Sequence, residues 1–134
     1  MDIVAASRLA GEHCWVESQL FELLGTWMKQ VDDPALVISL AERCTERGEL
    51  AEAWRSRIAS IPGLNAASLV AAPEGLGAVF AHLRSLEGAP GLQLAALEAD
   101  VLPAVRSVYL WHREQVDALI DTPTARLLDR CLAA

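Results

Sequence analysis

Two short pairs of side chains have the types and the spacing that proton transfer or metal binding requires. His13 and Glu17 are four positions apart, so on a helix they share one face, about 6 Å apart along its axis. Tyr109 and His112 share a face of a later helical segment. An imidazole beside a carboxylate or a phenol can act as an acid–base pair or bind one metal ion. The same spacing also fits histidines that are buried and hydrogen-bonded within a core.

A site of this kind needs groups from more than one helix. Tyr109 and His112 can meet His13 across a helical bundle. Glu52 is a further candidate, because it lies one turn after Gly48 and beside the apolar stripe of the second predicted helix. The candidate ligand-binding residues are His13, Glu17, Glu52, Tyr109 and His112. No residue is assigned a catalytic role.

The charge pattern excludes some classes of partner. The chain has 11 Lys and Arg against 18 Asp and Glu, a net charge of −7. Nucleic acids and anionic membranes both bind clustered Lys and Arg, so neither partner is expected. In the second helix, Glu42, Glu46 and Glu49 alternate with Arg43 and Arg47, which predicts local ion pairs on a solvated face.

The cysteines and the chain's start bear on location. Cys14, Cys44 and Cys131 are odd in number and widely spaced, with no CxxC pair. This usage argues against a disulfide framework or a structural zinc site and favours a reducing compartment. No signal peptide and no run of about 18 apolar residues is found. We expect a cytoplasmic protein with a single domain over residues 1–134.

Apolar residues recur at helical spacing along most of the chain, and no segment alternates as a strand would. Asp2 and Asp33 are predicted N-caps, and Pro34 suits the first turn of a helix. Pro103 predicts a kink or a break near Leu102. The predicted helices cover residues 3–31, 34–60, 73–86, 92–120 and 124–132. The predicted fold class is all-α, an antiparallel four-helix bundle with a short fifth C-terminal helix.

Two features predict how the helices pack. Gly48 lies within the apolar stripe of the second helix, between Cys44 and Ala51, where a glycine permits a neighbouring helix to approach closely. Residues 64–72 are small and apolar without a helical period, and we expect them to form a connection that crosses the bundle.

Several stretches resemble an actinobacterial ferritin-like group. They are ESQLFELLGTW at 17–27, Asp33-Pro34, GELAEAWRSR at 48–57, Leu102-Pro103 followed by Tyr109, and DTPTARLL at 121–128. The resemblance covers most of the chain and implies a ferritin-like bundle. Such bundles often hold two metal ions through a Glu from each of two helices and a Glu-x-x-His from each of the other two.

The metal-binding part of that pattern is missing here. No Glu-x-x-His occurs, and the second helix contains no histidine. We therefore expect no di-iron or di-manganese centre and no other cofactor. The sequence leaves open whether a single metal ion binds at His13 and Glu17.

Two functions are consistent with these residues. The first is a metal-free, degenerate ferritin-like bundle that serves as a binding or accessory module for a protein partner or a small apolar ligand. The alternative is a small enzyme of secondary metabolism that uses core acid–base residues, or one metal ion, on a small metabolite. A working di-iron oxidase is the weakest reading.

Two tryptophans fall on polar helix faces. Trp15 lies on the side of Arg8 and Glu12, and Trp111 lies beside Glu114. Tryptophan is enriched at protein interfaces. We therefore expect a homodimer that uses the face bearing Trp15 or Trp111.

Overall fold

The computed structural model describes residues 1–134, and its only regular elements are helices. The α-helices are α1 (Ile3–Met28), α2 (Pro34–Arg55), α3 (Ala66–Leu69), α4 (Leu76–Ser85), α5 (Pro90–Ala96), α6 (Leu102–Gln115) and α7 (Thr122–Ala133). A π-helical turn, Leu97–Val101, joins α5 to α6. The all-α prediction is confirmed. No helix is long and apolar enough to cross a membrane.

The helix starts follow the predicted caps. The Asp2 carboxylate accepts a hydrogen bond from the Ala5 amide at 2.7 Å, and Asp33 accepts one from the Ala35 amide at 3.1 Å. Both caps satisfy amides that have no partner within the first turn of a helix. Both helices end earlier in the chain than predicted, α1 at Met28 and α2 at Arg55.

The first two helices form an antiparallel hairpin. The Cys44 thiol donates to the Phe21 carbonyl at 3.4 Å across the pair. A Cβ added at Gly48 would lie 3.0 Å from the Phe21 ring, so the predicted close approach at this glycine is confirmed. The expected crossing connection contains α3, and Leu69 of α3 lies directly on Gly11 of α1.

The predicted fourth segment is helical without interruption from α5 through the π-helical turn into α6, so it is not broken at Pro103. The wide π-helical turn ends at Val101, two residues before Pro103. Proline cannot donate to the preceding turn and its ring crowds that turn, and a wider turn relieves both problems. The helix then stops at Gln115 instead of Ile120, and residues 116–121 form the turn into α7.

Four helices enclose the buried polar cluster described below. Helix α6 runs antiparallel to α1, since Tyr109 meets Glu17 and His112 meets His13. Helix α7 runs antiparallel to α2, with Cys131 against Trp54. The predicted short last helix is therefore one of the four around the cluster. Helix α4 packs on the outside of α1, where Phe80 meets Trp15.

Candidate ligand-binding site

Three helices meet at a buried ion pair. The Glu17 side chain on α1 is fully buried, and Nη1 of Arg47 on α2 lies 3.2 Å and 3.3 Å from its two carboxylate oxygens. The Tyr109 hydroxyl on α6 donates to Oε1 of the same carboxylate at 2.5 Å. Both Arg47 and Tyr109 make charge-assisted hydrogen bonds, so the Glu17 carboxylate is compensated inside the core.

Burial and these donors act on the Glu17 carboxyl in opposite directions. Desolvation raises the pKa of Glu17, while the Arg47 guanidinium and the Tyr109 hydrogen bond oppose the rise. Burial, followed by the Glu17 charge, raises the pKa of Tyr109 well above its ordinary value. The phenol therefore keeps its proton at neutral pH and acts as a donor to Glu17.

Arg47 was expected on a solvated face, and this prediction was wrong. Its side chain is only 10% exposed. Arg47 lies three residues after Cys44 and four before Ala51, so it continues the apolar stripe of α2 into the core. Its neighbours in the acidic run also pair between helices, since Glu46 and Glu49 both bind Arg130 of α7.

A pair of buried histidines lies one turn from the ion pair. Nε2 of His13 and Nδ1 of His112 are 2.8 Å apart, a distance that requires one shared proton. The His13 ring packs against the Trp54 and Tyr109 rings, with centroids 4.6 Å and 4.8 Å away. The two side chains come from α1 and α6 and are almost completely buried.

Both histidines are uncharged at neutral pH. Burial, with the neighbouring His112 adding to it, lowers the pKa of His13 to about 3. Burial also lowers the pKa of His112, and the Asp121 charge opposes this shift. The pair is therefore a neutral hydrogen-bonding unit rather than a site of positive charge.

His112 and Trp54 line a cavity of about 750 Å³. Its wall combines the start of α1, the turn after α2 and the link between α6 and α7. The apolar lining residues include Ile3, Ala6, Ala10, Ile58, Val116 and Ile120. The polar ones include Asp2, Ser7, Arg57, Asp117, Asp121 and Thr124. A volume of this size suits a small organic molecule.

Four of the five predicted ligand-binding residues lie together, namely His13, Glu17, Tyr109 and His112. Glu52 does not join them. It is exposed, because it follows the inward-facing Ala51 by one position and so turns away from the core. Among the four, only His112 reaches the large cavity.

The two predicted interface tryptophans differ in environment. Trp15 is partly covered by its own chain, with its ring edge-on to Phe80 at a centroid distance of 5.4 Å. Trp111 is 51% exposed, and the neighbouring Leu110 is also exposed. Only Trp111 therefore presents a largely free aromatic surface.

Sequence reasoning missed Arg47, Trp54 and Cys131 as members of the cluster. The Trp54 indole donates to the Cys131 sulfur at 3.3 Å and links α2 to α7. Burial, followed by the Glu17 charge, raises the pKa of Cys131 to about 12, which keeps it a thiol. Arg47 and Trp54 could have been found, since both lie on the period of the α2 stripe.

No group of three or more His, Cys, Asp or Glu side chains is placed to hold a metal ion. Although His13 and Glu17 are one turn apart, His13 bonds to His112 while Glu17 bonds to Arg47 and Tyr109. Loss of metals stays a prediction from the sequence.

Comparisons with protein-family models, with curated proteins and with solved structures found no match to this chain.

Proposed function

We propose that this protein is a binding module for a small, uncharged and mainly apolar molecule, built on a degenerate ferritin-like bundle without metals. The ligand occupies the cavity of about 750 Å³ and makes its main hydrogen bond to His112. The observation that carries the proposal is a neutral imidazole, held in place by His13, at the wall of that cavity. Such a fixed polar group beside apolar side chains in a pocket is typical of small-molecule sites.

The charges around the cavity disfavour an anionic ligand. Asp2, Asp117 and Asp121 line it, against a single arginine, Arg57. Arg57 is already engaged, since it donates to Asp121 and to the Thr124 hydroxyl. Apart from the amino group of Met1, the wall holds no unpaired cation for a carboxylate or a phosphate, and its three carboxylates repel an anion.

Binding is better supported than catalysis. The other acid–base groups, Glu17 and Tyr109, bond to each other and to Arg47 and do not line the large cavity. A ligand in the cavity would meet His112 without a second titratable group of the cluster beside it. A general acid or base must lie within hydrogen-bond reach of the substrate, and Glu17 and Tyr109 lie outside the cavity.

The test is binding of naphthalene, with its anionic analogue 1-naphthoate, followed by isothermal titration calorimetry and by amide chemical shifts. We expect naphthalene to bind more tightly than naphthoate and to shift the amides of Ser7, Ala59 and Thr124, which line the cavity. Ala6→Phe places a ring in the cavity and should abolish binding while leaving the protein folded.

Ala81→Phe is the matched control, because Ala81 is an exposed helical residue on α4 far from the cavity wall. It should leave naphthalene binding unchanged. Shifted amides that map elsewhere, or equal loss of binding in both variants, would remove the cavity as the ligand site.

A further inference from the structure

We infer that His13 is a positioning residue that allows His112 to offer the ligand either a hydrogen-bond donor or a hydrogen-bond acceptor. This inference rests on the proposed function and specifies which ligands its site accepts. The cavity would bind apolar molecules that carry one donor and also those that carry one acceptor.

Nε2 of His13 and Nδ1 of His112 are 2.8 Å apart. One proton lies between these nitrogens, and each neutral ring carries one proton in total. If Nδ1 of His112 holds the shared proton, its Nε2 is bare and accepts. If Nε2 of His13 holds it, Nδ1 of His112 accepts and the proton of His112 resides on Nε2, which then donates.

The surroundings of the pair do not fix one of these arrangements. The rings packed against it belong to Trp54 and Tyr109, which present aromatic faces rather than ionised groups. The nearest carboxylate on α1, Glu17, is taken by Arg47 and Tyr109. Asp121 acts on His112 only through its charge, and it is paired with Arg57.

The exchange between the two arrangements conserves protons and charge. Water delivers a proton to Nε2 of His112, the Nδ1 proton of His112 moves to Nε2 of His13, and Nδ1 of His13 gives a proton back to water. No ring becomes charged in the final state. A ligand shifts the balance towards the arrangement that it binds.

Three bicyclic probes of similar size test the inference. The N–H of indole can only donate, the ring nitrogen of quinoline can only accept, and naphthalene does neither. We expect indole and quinoline each to bind about 3- to 10-fold more tightly than naphthalene, the value of one net hydrogen bond. His112→Phe should leave the three affinities equal.

The nitrogen chemical shift of His112 reports the arrangement directly, because bare and protonated ring nitrogens resonate far apart. In the free protein the Nε2 shift should lie between the two limits. Quinoline should move it towards the protonated limit and indole towards the bare limit. A merely structural role of His13 would not produce opposite movements.

The variant His13→Met isolates the positioning role, since a thioether accepts hydrogen bonds but donates none. Nδ1 of His112 must then hold its proton, so the advantage of quinoline over naphthalene should be lost while that of indole persists. His82→Met is the matched control at an exposed histidine and should keep both advantages.

The inference is overturned if the Nε2 shift of His112 moves in the same direction with indole and with quinoline. It is also overturned if only one of these probes binds the unaltered protein more tightly than naphthalene. Neither result contradicts the cavity as the binding site. If none of the three probes binds, the proposed function fails. The inference, which rests on that function, is then overturned as well.

Discussion

The Tyr109 hydroxyl donates a 2.5 Å hydrogen bond to Oε1 of Glu17, and this contact joins α6 to α1 across 92 residues of sequence. Because Arg47 of α2 binds the same carboxylate, a single buried side chain fixes the relative positions of three helices. The histidine pair lies on two of those helices, so the ion pair also aligns His13 with His112.

The first prediction concerns this hydrogen bond. Tyr109→Phe keeps the ring and removes only the hydroxyl, which leaves Oε1 of Glu17 with fewer donors in the core. We expect a loss of about 1.5–3 kcal/mol in the free energy of unfolding, the usual value for a hydrogen bond to a charged group. Urea unfolding measures it, and a loss below about 0.5 kcal/mol would show that the bond contributes little.

The second prediction separates the charge of Arg47 from its packing. Glu17→Leu leaves a buried guanidinium without a partner, and we expect a cost of about 3–5 kcal/mol. The double variant Glu17→Leu with Arg47→Met should recover much of this loss, although both variants leave the Tyr109 hydroxyl unpaired. Equal stability of the single and double variants would contradict a buried charge at Arg47.

An exposed ion pair provides the comparison for that cycle. Arg113 and Asp129 are 2.9 Å apart, with side chains 32% and 60% exposed. Asp129→Ala should cost less than about 1 kcal/mol, because water and salt screen surface pairs.

The third prediction concerns the glycines of α1 and α2. An alanine at Gly11 would overlap the backbone of Leu69, which cannot move without displacing α3. Gly48→Leu would press on the Phe21 ring, and overpacking of this kind costs about 1–3 kcal/mol. Both changes should lower the melting temperature, whereas Gly91→Ala, with open space around the new methyl group, should not.

The sequence predicted helix starts better than helix ends, for a physical reason. Asp2 and Asp33 each cap the helix that follows them directly in the chain, so the local sequence is sufficient to predict where these helices begin. The end of α2 depends on distant partners, since Arg57 turns towards Asp121 and Thr124 of the last turn and helix. Such contacts lie more than 60 residues away and leave no local pattern.

The site was predictable where burial followed the helical period. On the helical period of α1, His13 aligns with Val16 and Leu20, and all three side chains are buried. Arg47 lies on the helical period of the buried residues of α2, but a positive charge among glutamates favoured the prediction that it lies on the solvated face. Its partner Glu17 is 30 residues away, so the compensation that allows its burial is visible only in the folded protein.

The fourth prediction is a homodimer that uses the face of Trp111. This ring is 51% exposed beside the exposed Leu110, and buried tryptophans are frequent centres of binding energy. Trp111→Ala should weaken the dimer measured by light scattering, whereas Ile38→Ala, at another exposed apolar side chain, should leave it unchanged. A monomer throughout the micromolar range would show that the prediction is wrong.

The last prediction is a pH dependence of stability that originates at His13. Its pKa is about 3 in the folded protein against 6.5 when exposed, so the unfolded chain holds more protons between these values. The free energy of unfolding should therefore fall as the pH decreases below 6.5, by roughly 1.4 kcal/mol per pH unit. His112, whose pKa burial also lowers, adds to this fall, whereas Glu17, whose pKa burial raises, opposes it, so the slope is compared between variants over the same pH range. Urea unfolding should show that His13→Gln loses most of this slope while His82→Gln, at an exposed position, retains it. An unchanged slope in His13→Gln would mean that folding does not lower the pKa of His13 and that another group, such as His112, causes the pH dependence.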